Sequence, residues 1–267
     1  MTEHRPALRC RLSLKQYTLF DSPEPHGPMD ISVVIPAYNE QENLPILIPK
    51  VDAVLSALEG EHEIVVIDDR STDNTRQVLR ELAETYPRLK PLYFKTNCGQ
   101  SSAFEAGFRH ARGEVVVTMD ADLQNDPEDI PTLLAKMNEA DCVCGRRTNR
   151  RDSATKKIVS RVANAFRRRA LGDPIRDTGC SLKAFRREAV ERLKMYKGMH
   201  RFLSTLVVLE GYRIAEVPVR HHPRQYGTSK YNLFNRSIGP IMDLLAVMWM
   251  KRRTVRWELD EEPRADD

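Results

Sequence analysis

The sequence predicts an α/β fold built on a mostly parallel, Rossmann-like sheet flanked by helices. Three observations lead there. From Ile31 to Cys144, short β-branched runs alternate with helical patterns, the sequence signature of successive βαβ units. Acidic and polar residues follow directly on three of those strands. Finally, 267 residues with 41% hydrophobic and 30% charged side chains can bury a large core and keep a hydrated surface.

Residues 1–29 come first and show no sustained periodicity. They close on the turn-rich Asp21-Ser-Pro-Glu-Pro-His-Gly-Pro28, so they read as a flexible tail, with Met29 a candidate true start. Residues 30–235 read as the folded domain. Ile31–Ile35 is its first strand. Leu44, Leu47, Ile48, Val51, Leu55 and Leu58 then recur at helical spacing. Glu63–Ile67 is the second strand, followed by a helix over 73–86 behind the cap-type residues Ser71, Thr72 and Asp73. Strand 89–94, helix 100–111, strand 114–119, helix 127–139 and strand 141–144 continue the alternation.

Composition excludes several classes. Five Cys without a CxxC pair argue against a disulfide framework or a zinc site and favour a reducing, cytoplasmic compartment. No apolar run approaches the roughly 18 to 20 residues of a membrane span, and the arginines near the N-terminus precede no signal-like apolar stretch.

In a parallel sheet, ligands collect beyond the carboxyl ends of the strands. Those ends carry Pro36-Ala-Tyr-Asn-Glu40, Asp68-Asp-Arg-Ser-Thr-Asp73 and Asp120-Ala-Asp-Leu-Gln124. Neither GxGxxG nor GxxxxGK[ST] occurs, so the usual backbone cradles for phosphate are missing. Two carboxylates two residues apart, Asp120 and Asp122, offer another route. They suit Mg²⁺ or Mn²⁺, which takes one or two carboxylates and fills its remaining positions with water and phosphate oxygens.

Val33–Glu40, Val66–Asp73 and Asp120–Gln124 together resemble the family 2 glycosyltransferases. Asp177-Thr-Gly-Cys-Ser-Leu-Lys-Ala-Phe-Arg186 and Arg224-Gln-Tyr-Gly-Thr-Ser-Lys230 resemble the polyprenyl-phosphate branch, which includes dolichol-phosphate mannosyltransferase and undecaprenyl-phosphate sugar transferases. The resemblance implies a GT-A fold and inverting transfer from a UDP- or GDP-sugar to a polyprenyl (undecaprenyl or dolichyl) phosphate. It implies a metal held by Asp120 and Asp122 with Gln124 close by, and Ala121 beside the donor. Pro36, Tyr38, Glu40, Ile67 and Asp69 would surround base and ribose, with Asp68 a second candidate. Arg224 and Lys230 would close over the diphosphate, while Arg147, Lys156 and Ser160 would hold the acceptor phosphate. Asp122, Arg147 and Asp177 are the catalytic candidates. Asp177 would position groups, because a phosphate acceptor is already ionised near neutral pH and needs no strong base. The alternatives are a soluble or protein-bound acceptor, or a nucleotide-sugar-binding protein without catalysis.

Between Arg146 and Arg176, eleven basic residues face only Asp152 and Asp173. Nucleic acid is set aside as a partner, because Phe166 is the only ring in the segment and no recognition motif accompanies it. An anionic membrane surface satisfies the same charge. Residues 236–257 include the apolar Ile238–Met250 with Trp249, followed by Lys251-Arg-Arg253. They read as an amphipathic helix at the membrane interface or as a core helix. An acidic tail, 258–267, ends the chain, which leaves firmer anchoring to an integral-membrane partner subunit. The expected location is cytoplasmic, peripheral on the cytoplasmic membrane face.

Overall fold

Strand β1 (Met29–Ala37) lies near the middle of a seven-stranded sheet. The computed structural model describes residues 29–148, 167, 169, 171–172, 175–191, 193–226 and 238–255. The expected tail 1–28, most of the basic segment, Lys156, Ser160, Lys230 and the acidic tail lie outside the described residues.

The other strands are β2 (His62–Asp68), β3 (Leu89–Tyr93), β4 (Gly113–Thr118), β5 (Cys142–Arg147), β6 (Lys183–Arg186) and β7 (Ile214–Val219), in the order β3-β2-β1-β4-β6-β5-β7. β1, β2, β3 and β4 are parallel, as expected. β6 runs antiparallel to both β4 and β5, and β7 pairs parallel with β5. The sheet is therefore mixed. The antiparallel strand is four residues long, too short for its alternation to stand out from the turns around it.

Helices α1 (Leu44–Ser56), α2 (Thr75–Thr85), α3 (Gln100–His110) and α4 (Ile130–Lys136) follow their strands within a few residues of the predicted bounds. Short helices α5 (Arg187–Val190) and α6 (Leu203–Leu209) come next, then α7 (Ile238–Arg253). Strand alternation separates two cores: Val33 and Ile35 of β1 pack with Leu44, Leu47 and Ile48 of α1, while Val34 packs with Phe104 and Phe108 of α3. At Gly107 an added Cβ would come within 2.2 Å of Val34, so the missing side chain is what lets α3 lie against the sheet.

Helix α7 has one buried face and one exposed face. Leu244 and Val247 are buried against the α3 side of the sheet, with Met248 and Met250 partly covered. Ile241, Met242, Leu245 and Trp249 remain exposed on another face. The helix is thus apolar around most of its circumference, where an amphipathic stripe was expected. Among the described residues no helix is long and apolar enough to cross a membrane.

Candidate active site

β1 pairs with β2 on one side and with β4 on the other, and the chain winds away from β1 in both directions. That reversal opens a crevice beyond the carboxyl ends of β1 and β4. A cleft of ≈ 320 Å³ lies there, lined by Pro36 and Ala37 at the end of β1, Tyr38 and Glu40 after it, Asp69 after β2, Asn97, Gly99, Gln100 and Ala103 around the start of α3, Asp120–Asp122 after β4, and Arg224. The rim is also where the backbone departs from ordinary conformations. Among the described residues, the non-glycine positions with positive φ are Asn39 (55°), Arg70 (62°) and Leu123 (60°), one after each of β1, β2 and β4. Such strain concentrates at functional sites.

At the β2 end of the cleft, Asp69 is buried and holds the loop that opens α3. Its carboxylate accepts the N–H groups of Cys98 (2.7 Å) and Gly99 (2.8 Å) and the side-chain amide of Asn97 (3.1 Å). Burial nevertheless raises the Asp69 pKa, aided by neighbouring Asp68 and opposed by the Cys98 and Gly99 N–H groups. Gly99 takes φ +86° just before α3, a conformation that disfavours any residue with a side chain.

The carboxylate pair forms the opposite end. Asp120 accepts the Gln100 amide at 2.8 Å, and burial, then the charge of Asp122, pushes its pKa up to about 6. Asp122 takes the backbone N–H of Gln124 on Oδ1 (3.1 Å) and Arg224 Nη2 on Oδ2 (2.6 Å). Arg224 reaches it from a segment tied alongside the loop after β4: His222 N–H donates to Gln124 O, and Asn125 bridges to His221. Two adjacent carboxylates facing a cleft with a guanidinium at its mouth are a donor set that fits a hard divalent cation and a diphosphate.

Not every expected residue reaches this cleft. Ile67 is buried in the core beneath α3. Asp68 points away, its oxygens engaged by Arg76 Nε (3.2 Å) and Ser71 N–H (3.0 Å). Neither is among the residues that line the cleft. Gln124 does not line the cleft, and its backbone secures Asp122. Arg147 and Asp177 meet each other off the cleft lining, in a two-pronged ion pair with Nε–Oδ2 and Nη2–Oδ1 both 2.8 Å. Gly179 leaves room for it, since a Cβ there would stand 2.8 Å from Arg147 Nη2. The sequence reading missed Asn97, Gly99 and Gln100. The rule of strand ends applies equally to β3, but the loop after it carries no carboxylate to draw notice.

The profile of Glycosyl transferase family 2 matches residues 32–194, which is most of the described sheet and its rim. This chain belongs to that family. It is a glycosyltransferase. Among solved structures, the transferase is similar to glucosyl-3-phosphoglycerate synthase from Mycobacterium tuberculosis in complex with Mn²⁺, UDP-glucose and phosphoglyceric acid (21% identity, TM-score 0.63, covering 83% of this chain and 80% of that one). The same synthase with Mg²⁺ and UDP matches at 19% identity and TM-score 0.61, over 84% and 79% of the two chains. The mannosyltransferase PcManGT from Pyrobaculum calidifontis, in complex with GDP-Man and Mn²⁺, is 26% identical with TM-score 0.59, over 86% of this chain and 66% of that one. At such identities the synthase likeness establishes the shared GT-A fold.

These findings correct the assignment to the polyprenyl-phosphate branch. The similar structures with an acceptor hold phosphoglyceric acid, a soluble molecule, in place of a lipid phosphate. The polyprenyl-phosphate partner and the inverting transfer to it fall with that assignment. The motifs on which that assignment stood, Asp177–Arg186 and Arg224–Lys230, do not single out a lipid acceptor: Asp177 pairs with Arg147, and Arg224 with Asp122.

Proposed function

We propose that this transferase moves a sugar from a nucleoside diphosphate, foremost a UDP-sugar, to a soluble acceptor, with Mn²⁺ or Mg²⁺ held by Asp120 and Asp122. The observation that carries the reading is the polarity of one cleft. Pro36–Glu40 and Asp69 form an end suited to a nucleoside, and Asp120, Asp122 and Arg224 form an end suited to a diphosphate. The similar structures with UDP and a divalent ion support it.

The chain's own groups have separable tasks. Asp69, fixed by the loop 97–99, presents a carboxylate edge to a donor N–H of the base. Arg224 supplies positive charge where the leaving diphosphate gains negative charge, a form of electrostatic catalysis. When bound, the divalent ion would act as a Lewis acid on the diphosphate. Asp177, with both oxygens on Arg147, fits a positioning role for that guanidinium better than proton removal. Its expected independence from base catalysis can no longer rest on an ionised phosphate acceptor, because a hydroxyl acceptor must lose a proton.

A thermal-shift and product-release panel tests the proposal. UDP, GDP and their glucose and mannose conjugates are compared with Mn²⁺ and with EDTA. Stabilisation by UDP with Mn²⁺ that EDTA removes, and UDP release stimulated by small soluble phosphorylated acids, is the expected outcome. Failure of both nucleotides to bind with Mn²⁺ would overturn the reading. The exposed apolar face of α7 and the exposed Lys251, Arg252 and Arg253 at its end support a further contact, with an anionic bilayer surface. Salt-sensitive co-sedimentation with anionic but not neutral vesicles is its test.

A further inference from the structure

The guanidinium of Arg224 lies on an oxygen of Asp122, one of the two carboxylates proposed above to hold the metal. Arg224 Nη2 stands 2.6 Å from Asp122 Oδ2, with the two side chains 32% and 10% exposed. The second oxygen of Asp122 accepts the Gln124 N–H, and Oδ1 of Asp120 accepts the Gln100 amide. Among the described residues no group of three or more His, Cys, Asp or Glu side chains is arranged to hold a metal ion. The rim therefore offers two carboxylates, one of them already covered by a cation.

A small hard divalent ion favours about six oxygen ligands. Two carboxylates leave most of that shell to water or to phosphate oxygens from the donor. Charge leads to the same conclusion. A divalent ion arriving alone would set three positive charges against two carboxylates, with the guanidinium in its way. Arriving with a diphosphate, it restores the balance and gives Arg224 a new anionic partner that accepts two parallel hydrogen bonds. His221 and His222, just before Arg224, are tied to residues 124–125, and the long arginine side chain can exchange one partner for the other by rotamer rotation.

We propose, on the basis of the nucleotide-sugar reading above, that Arg224 is a stand-in cation. It occupies Asp122 when the donor is absent and moves to the diphosphate when donor and metal enter. Metal and nucleotide consequently bind as a unit, and bare metal binds weakly.

Calorimetric titration of Mn²⁺ into the full chain, with and without saturating UDP, tests this on wild type, Arg224→Gln and Arg224→Lys. In wild type, UDP tightens Mn²⁺ binding at least about tenfold, and Mn²⁺ tightens UDP binding by the same factor, as linkage requires. Arg224→Gln binds Mn²⁺ alone about tenfold more tightly than wild type, binds UDP with Mn²⁺ more weakly, and shows reduced coupling. Arg224→Lys, which keeps the charge without the planar fork, falls between them. Bare-metal affinity in Arg224→Gln equal to or below wild type, with Mn²⁺–UDP binding to wild type intact, refutes the stand-in role alone. If wild type binds neither UDP nor Mn²⁺ in the other's presence, the donor reading fails as well.

Discussion

Lowering the pH should weaken this fold through one histidine. His200 lies on the 3₁₀ turn Met199–Phe202, with Nδ1 at 2.9 Å from Ser101 Oγ at the start of α3. Burial, then the charges of Arg201 and Lys183, lower its pKa from 6.5 to about 4. The unfolded chain therefore takes up this proton near pH 6.5, whereas the folded chain resists it until near 4. Stability from this group is fully present above 6.5 and is lost as pH falls towards 4. The complete shift corresponds to about 3 kcal/mol. Integrating the two titrations between pH 7 and pH 5 gives a loss of about 2 kcal/mol, a large part of a typical domain's stability. Asp120 acts in the opposite sense: its raised pKa of about 6 makes the folded chain the better proton acceptor, so it adds stability as pH falls through that range. The comparison that isolates His200 is wild type against His200→Asn, which keeps a polar atom near Ser101 but does not titrate. Urea unfolding of both proteins at pH 7 and pH 5, in EDTA, supplies four free energies. The Asp120 contribution is common to both proteins and cancels in the difference. Wild type should lose about 2 kcal/mol more than the variant over this interval. Parallel pH dependence in the two proteins would sink the argument, because it would mean that His200 titrates normally in the folded chain.

Two other perturbations follow from the geometry. Asp122→Asn should reduce metal-dependent turnover by about two to three orders of magnitude, the scale on which lost electrostatic stabilisation is felt. Its unfolding midpoint should stay near that of wild type, because the side chain sits on a rim, and turnover within threefold of wild type would refute its role. Gly198→Ala should destabilise by a left-handed backbone penalty of about 1 to 2 kcal/mol together with the smaller cost of displacing the Asp243 carboxylate. Gly198 has φ +87°, and an added Cβ would fall 2.1 Å from Asp243 Oδ2 on α7. Gly211→Ala is the control: φ is +94° but nothing lies within 4 Å, so only the backbone penalty of about 1 to 2 kcal/mol remains. Equal melting temperatures for the two variants would mean that α7 does not press on Gly198.

The sequence alone determined the parallel half of the sheet and the rim where its polar residues gather. β1, β2 and β4 each centre on a short β-branched run, and a helical pattern follows each across a polar loop, so local pattern and tertiary role agree. It also marked out the Asp120/Asp122 pair, since two carboxylates at the carboxyl end of a parallel strand stand where ligands collect and suit a hard divalent cation. Tertiary structure decided what local pattern cannot encode. Asp68 and Asp69 are neighbours, yet Asp68 pairs with Arg76 while Asp69 lines the cleft, because successive side chains at a strand end point to opposite sides. Lys183–Arg186 became a central antiparallel strand only because β4 and β5 were there to pair with it. Ile238–Arg253 reads as one apolar helix in any setting, and only contact with the core divides it into a buried face and an exposed one. Arg224 reaches Asp122 across 102 positions of sequence, a separation that no periodicity spans and that chain folding alone closes.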